Sequence, residues 1–111
     1  MIETVVLNHL AANLGVPVYM EIPAKPADTF VVLQKTGGGR VNYVRSAMVA
    51  VQSYAPTMLA AAQLNERVKA AMDLLPVLPE IGSSRLNSDY GYTDTASKRQ
   101  RYQAVYDITH Y

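Results

Sequence analysis

The runs TFVVLQK (29–35), GGG (37–39), AMVAVQSY (47–54) and APTMLAAAQLNERVKAAMDLL (55–75) decide how this chain folds. Phe30, Val31, Val32 and Leu33 are apolar in succession, as are Ala47, Met48, Val49, Ala50 and Val51. Each run therefore reads as a strand with apolar side chains on both faces, and the second face needs a cover. Thr57 can cap a helix whose Ala61, Leu64, Val68, Ala71, Met72 and Leu75 form an apolar stripe, with Asn65, Glu66, Lys69 and Asp73 on the wet face. Glu66 and Lys69, one turn apart, pair for about 0.3 kcal/mol. Pro76 and Pro79 end the helix. The segment 36–46 carries the glycines with Arg40, Asn42, Tyr43 and Arg45; it is too long for a tight two-residue hairpin and reads as a protruding loop or extended arm.

Working outward, Ile2, Val6, Leu10 and Leu14 recur every fourth residue, so an amphipathic helix precedes this core. Gly15 supplies its left-handed cap and Pro17 stops it. Residues 16–21 read as a short strand, and Pro23 and Pro26 make 22–28 a stiff connector or edge segment. Downstream, 81–87 is a weak strand and 88–97 a polar, exposed loop. In 101–111, Tyr102, Ala104, Tyr106 and Ile108 alternate with Gln103, Asp107 and Thr109, as in a half-buried strand. The expected fold is one α+β domain over 1–111, in the order α-β-β-β-α-β-β, with a mixed or antiparallel sheet of four to five strands against two helices.

Lys and Arg number 10 against 9 Asp and Glu, a net charge of +1 that lacks the basic excess of a phosphate-driven nucleic-acid binder. With no cysteine there is neither a disulfide framework nor a thiolate metal site, which fits an intracellular protein. The first residues have no basic segment and their apolar pattern is broken by Asn8, His9 and Asn13, so no signal peptide is expected. No apolar run approaches the ~20 residues of a membrane span, and a soluble protein is expected.

Residue chemistry names no reaction. Thr36-Gly37-Gly38-Gly39-Arg40 lacks the Gly-Lys-Ser/Thr ending of a phosphate loop and reads as a turn or flexible loop. Lys98, Arg99 and Arg101 with Tyr102 and Tyr106 suggest phosphate and base contacts, but the alternation turns both tyrosines to the core and leaves the charges solvated or available to a protein partner. Asp89 and Asp94 around Tyr90, Gly91 and Tyr92 do not have the spacing of a calcium loop. Gly82-Ser83-Ser84-Arg85 lacks the second glycine of a nucleophile elbow. His9 reads as a partly packed helix residue, and His110 has no acid or nucleophile placed beside it. Eight tyrosines against one phenylalanine suit interfaces, since tyrosine buries a ring and keeps a polar tip. The two strands with apolar faces imply self-association through strand surfaces and loops.

Three segments carry a resemblance: Lys35-Thr36-Gly37-Gly38-Gly39; Ser46-Ala47-Met48-Val49-Ala50-Val51-Gln52-Ser53-Tyr54-Ala55 running into Ala60-Ala61-Ala62-Gln63-Leu64; and Arg101-Tyr102-Gln103-Ala104-Val105-Tyr106-Asp107-Ile108. Together they resemble the tail-completion or tail-terminator (head–tail joining) proteins of long-tailed bacteriophages and prophages. The resemblance implies an α+β virion subunit of the tail or neck, assembled in the bacterial cytoplasm into a ring, six-fold by analogy. Such a ring caps the tail tube and meets a head-side connector. It implies no catalytic residues, no cofactor, no membrane partner and no specific nucleic acid. The loops 37–45 and 88–97 become candidate contact surfaces, with Gly37, Gly38, Gly39, Arg40, Tyr43, Arg45, Tyr90 and Tyr92 as interface residues. A head-closure or connector neck adaptor, and a non-phage binding or regulatory domain, are the alternatives.

Overall fold

The computed structural model describes residues 1–41, 44–94 and 99–111. Its elements follow the expected order: α1 (Ile2–Leu14), β1 (Val18–Tyr19), β2 (Phe30–Val41), β3 (Val44–Ala55), α2 (Met58–Asp73), β4 (Ile81–Asp94) and β5 (Arg99–His110), with one 3-10 turn, Leu75–Val77, after α2. The strands form one mixed sheet in the order β1-β2-β3-β5-β4, in which β1 lies parallel to β2 and every other pair is antiparallel. This is an α+β fold.

The helices form where the sequence places their signals. Ile2, Val6, Leu10 and Leu14 are the buried residues of α1, and Gly15 ends the helix at φ 69°, a left-handed conformation that side chains disfavour. The Thr57 side chain accepts a hydrogen bond from the Ala60 amide at 3.1 Å, capping α2. The stripe Ala61, Leu64, Val68, Ala71 and Met72 is buried. Asn65 departs from expectation: it is 1% exposed rather than wet, because Asp89 on β4 reaches its amide at 3.2 Å.

Both helices cover one face of the sheet, called inner here. Val31 and Leu33 of β2, Ala47, Val49 and Val51 of β3, and Ala104, Tyr106 and Ile108 of β5 pack there against the stripes of α1 and α2. Full burial of each Val or Leu contributes roughly 1.5–3 kcal/mol relative to exposure. The layers are pinned by polar contacts as well. His9 Nε2 donates to the Ala71 carbonyl at 2.7 Å, the Arg67 guanidinium donates to the Leu14 carbonyl, and Lys69 bridges Glu66 at 2.8 Å and Asp89 at 3.0 Å.

Three expectations need correction. Segment 36–41 is strand, not loop: β2 and β3 stay paired as far as Val41↔Val44, so only two residues separate the paired ends. The arm is a hairpin, and the glycines sit in its ladder. Similarly, 88–94 continues β4, paired through Asp94↔Arg99, and the rest of the expected loop, 95–97, lies outside the described residues. Ladder bonds to β3 and β5 override the low strand propensity of Gly, Ser, Asn and Asp. Thirdly, the apolar outer face of β2 is not left bare. Phe30, Val32 and Tyr54 form a second small core with Tyr19, and the Arg99 and Arg101 guanidinium groups lie over the Phe30 and Tyr54 rings at 5.3 and 5.5 Å. That cover removes the argument for self-association from β2, while on β3 Met48 remains 38% exposed.

Candidate functional site

The strands outrun the helices. Twelve strand residues span about 40 Å whereas the sixteen of α2 span about 24 Å, and the molecule measures 43 × 24 × 24 Å. The candidate interface residues lie towards the strand ends. Gly37, Gly38, Gly39 and Arg40 occupy β2, and Arg40 stands opposite Arg45 of β3, next to His110 of β5. Tyr90 lies on β4, 49% exposed, and its hydroxyl accepts from Gln103 Nε2 at 2.8 Å. The structure therefore brings Gly37, Gly38, Gly39, Arg40 and Arg45 together. Tyr90 is on the opposite edge strand, roughly 20 Å along the strand direction from the level of Gly39. Tyr92 pairs with Arg101 in the ladder, but its side chain lies outside the described residues, as do Tyr43 and Lys98.

The outer face is organised by hydrogen bonds across strands. Arg101 donates to the Tyr54 hydroxyl at 2.7 Å, and Gln52 Nε2 donates to Gln103 Oε1 at 2.9 Å. Gln103 in turn donates to Tyr90, and Asn87 donates to Asp107 at 3.1 Å. Neighbours on the same sheet thus engage these polar side chains without help from a second layer. Gly91 belongs to the same economy on the inner face, where a Cβ would meet the Tyr102 ring at 2.8 Å, so the ring occupies the space above it.

Below this ladder the outer face is hollow. A cavity of about 560 Å³ lies where Gly37, Ser46 and Thr109 leave the floor nearly bare, with Met48, Arg85 and Asp107 as its larger lining side chains. The lining from β4 and β5 is not evident from local sequence. Ser83, Arg85, Asp107 and Thr109 are scattered polar residues until the sheet aligns them, and the only local signal is the run of small residues 82–84.

Electrostatically the inner face holds the perturbed groups. Burial, aided by the Asp73 charge, pushes the Tyr106 phenol up to about 12. Hydrogen bonds to Glu66 and then Asp89 hold the Lys69 ammonium well above its usual range. Both groups belong to the α2–sheet packing, and neither faces the hollow. Among the described residues no cluster of three or more His, Asp or Glu side chains is placed to hold a metal ion, and no helix is long and apolar enough to cross a membrane. His110 and Ser84 do not come together as a nucleophile and base: Ser84 pairs with Ile108, and His110 with Ile81 and Arg45. In comparisons with known proteins, no family model and no curated protein matches the chain.

Proposed function

We propose that this chain is a non-enzymatic structural subunit of a long-tailed bacteriophage or prophage, assembling into a ring that caps the tail tube and joins it to the head-side connector. The reading starts from the resemblance to tail-completion and tail-terminator proteins. The observation that supports it best is spatial: the three segments carrying the resemblance fold as β2, as β3 leading into α2, and as β5, which are three adjacent strands at the centre of one sheet. A resemblance spread over distant stretches of sequence thus corresponds to one contiguous structural unit. The near-neutral charge suits protein contacts better than tight binding to DNA.

Deleting the gene from an inducible prophage tests the proposal. Filled heads separate from tails of uncontrolled or excessive length are the expected outcome under electron microscopy. Tails of normal length joined to heads would overturn it, and tails of normal length left unattached would favour a neck adaptor.

A further inference from the structure

The sheet has two long edges. On one side β1 covers β2 only at Val31 and Val32, and among the described residues no strand pairs with the rest of that edge. On the other side the outer edge of β4 has no paired strand among the described residues over Ile81–Asp94. Open edges of this length are templates for pairing with another chain, and proteins blunt them with bulges. Both edges are bulged: β2 between Lys35 and Gly37, β4 between Ile81 and Ser83 and again between Leu86 and Ser88. Traced across the sheet, the β2 bulge and the second β4 bulge fall within one residue level of each other. On the Gly37 side of these bulges, regular ladder remains on both edges at three shared levels, Gly37–Met48–Asp107–Arg85, Gly38–Ala47–Ile108–Ser84 and Gly39–Ser46–Thr109–Ser83; on the other side the Gln34–Ala50–Val105–Ser88 and Leu33–Val51–Ala104–Asp89 levels are regular too.

Direction matters as much as level. β2, β3, β5 and β4 alternate in sense, so β2 and β4 run in opposite directions at the two edges. A second copy placed side by side, related by rotation about an axis along the strands, therefore brings its β4 antiparallel to this β2. The inner and outer faces stay continuous, because each level has the same facing on both edges. Such a head-to-tail contact repeats, unlike a two-fold contact, and closes into a ring where the rotation between copies divides a full turn. The side chains at these levels fit close backbone approach: three glycines on one edge, two serines and the flexible Arg85 on the other.

Building on the ring assembly proposed above, we infer that the subunits join edge to edge, with Gly37, Gly38 and Gly39 of one copy laddered antiparallel to Ser83, Ser84 and Arg85 of the next. The bulges bound this short register, and its glycines and serines select it over the Leu33 and Gln34 levels beyond the bulge. Short regular segments between bulges admit one pairing where a long flat edge would admit many. The hollow on the outer face then continues from subunit to subunit across the seam.

Disulfide trapping tests the seam, because the chain contains no cysteine. Gly37→Cys is sterically mild, since a Cβ there meets only Met48 Cβ at 3.8 Å. It is combined in turn with Ser83→Cys, Arg85→Cys and Ser88→Cys, all on the outer face. Within one subunit Gly37 and Arg85 are three strand spacings apart, about 14 Å, beyond the about 7 Å Cα separation a disulfide tolerates. Any ladder of covalent oligomers is therefore intermolecular. The expected result is a shift of the Gly37→Cys/Arg85→Cys chain from monomer into oxidised ladders up to a closed species, reversed by reductant. The two single variants should form a mixed disulfide when combined, and amide exchange should slow at residues 37–39 and 83–85 on assembly. Rings that form by mass measurement while all three pairs stay uncrosslinked would overturn the seam and leave the ring reading intact. Chains that remain monomeric at every concentration and on added tail tubes, without crosslinks, would overturn both.

Discussion

The two faces of the sheet are buried by different means. On the inner face, aliphatic side chains of β2, β3 and β5 disappear beneath two helices, each held at its proper distance by its own apolar stripe. Among the described residues no helix lies on the outer face, yet Phe30 and Tyr54 are only 0% and 1% exposed. Their rings stack on each other at 4.7 Å, Tyr19 tilts against Phe30, and two arginines lie across them. An aromatic pair in a sheet can be covered by side chains laid flat from neighbouring strands, because guanidinium groups combine apolar contact with attraction to the ring face. An apolar strand face is thus a weak sign of an interface. The strand edges, with which among the described residues no further strand pairs along β4 or along β2 beyond Val31 and Val32, are a stronger one.

This comparison predicts that the outer cluster behaves as a core. Phe30→Ala should cost about 3–5 kcal/mol, matching or exceeding the about 2–5 kcal/mol expected for the inner-face Leu33→Ala. Urea unfolding of both variants measures the two values on one scale. A cost near 0.5 kcal/mol for Phe30→Ala, as at an ordinary surface position, would break the equivalence and return the outer face to the status of exposed surface.

A second prediction separates the faces by pH. Tyr106, on the inner face, keeps its proton up to about pH 12 when folded, while an unfolded tyrosine loses it near pH 10. Between those values the unfolded state binds fewer protons, so stability falls as pH rises. Two pH units correspond to roughly 2–3 kcal/mol. Lys69 adds to the loss in the same direction, since Glu66 and Asp89 keep it charged in the folded state after the unfolded chain has begun to lose that proton. Tyr106→Phe should remove the tyrosine part of the decline, read as urea midpoints at about pH 9 and about pH 11.5. An unchanged alkaline slope in that variant would place the sensitivity elsewhere.

Periodicity makes the inner face legible. Residues 2, 6, 10 and 14, the stripe from Ala61 to Leu75, and the alternation through Ala104, Tyr106 and Ile108 all reflect local geometry repeated along one element. The outer face is far less readable, since the cover for Phe30 comes from Arg99, dozens of residues later, and no local pattern links the two. The strand arms are hidden for a related reason. Gly37, Gly38, Gly39, Ser88 and Asp89 have poor intrinsic strand preference and are held extended by β3 and β5. Of the candidate interface, Gly37 to Arg40 and Arg45 are visible as an unusual Gly-Arg segment. Their counterparts Ser83, Ser84 and Arg85 look in sequence like an incomplete catalytic turn and gain meaning only from their level in the sheet.

The smallest expected effect sits at Met48, a large apolar side chain left 38% exposed on the outer face between Gly37 and Asp107. If neighbouring side chains rather than a partner complete this face, Met48→Lys should leave stability within about 0.5 kcal/mol. Two terms set the sign. Losing partly exposed apolar contact costs a little, and a lysine directly across the strand pair from Asp107 gains a few tenths of a kcal/mol as an opposite-charge pair. Assembly should also survive, because Met48 lies one strand inward from the β2 edge and contributes no backbone to the proposed seam. Urea unfolding and the mass of the assembled particle together check both points. Intact folding with lost assembly in Met48→Lys would show that the outer face is a contact surface after all, and would shift the subunit interface from the strand edges to the hollow.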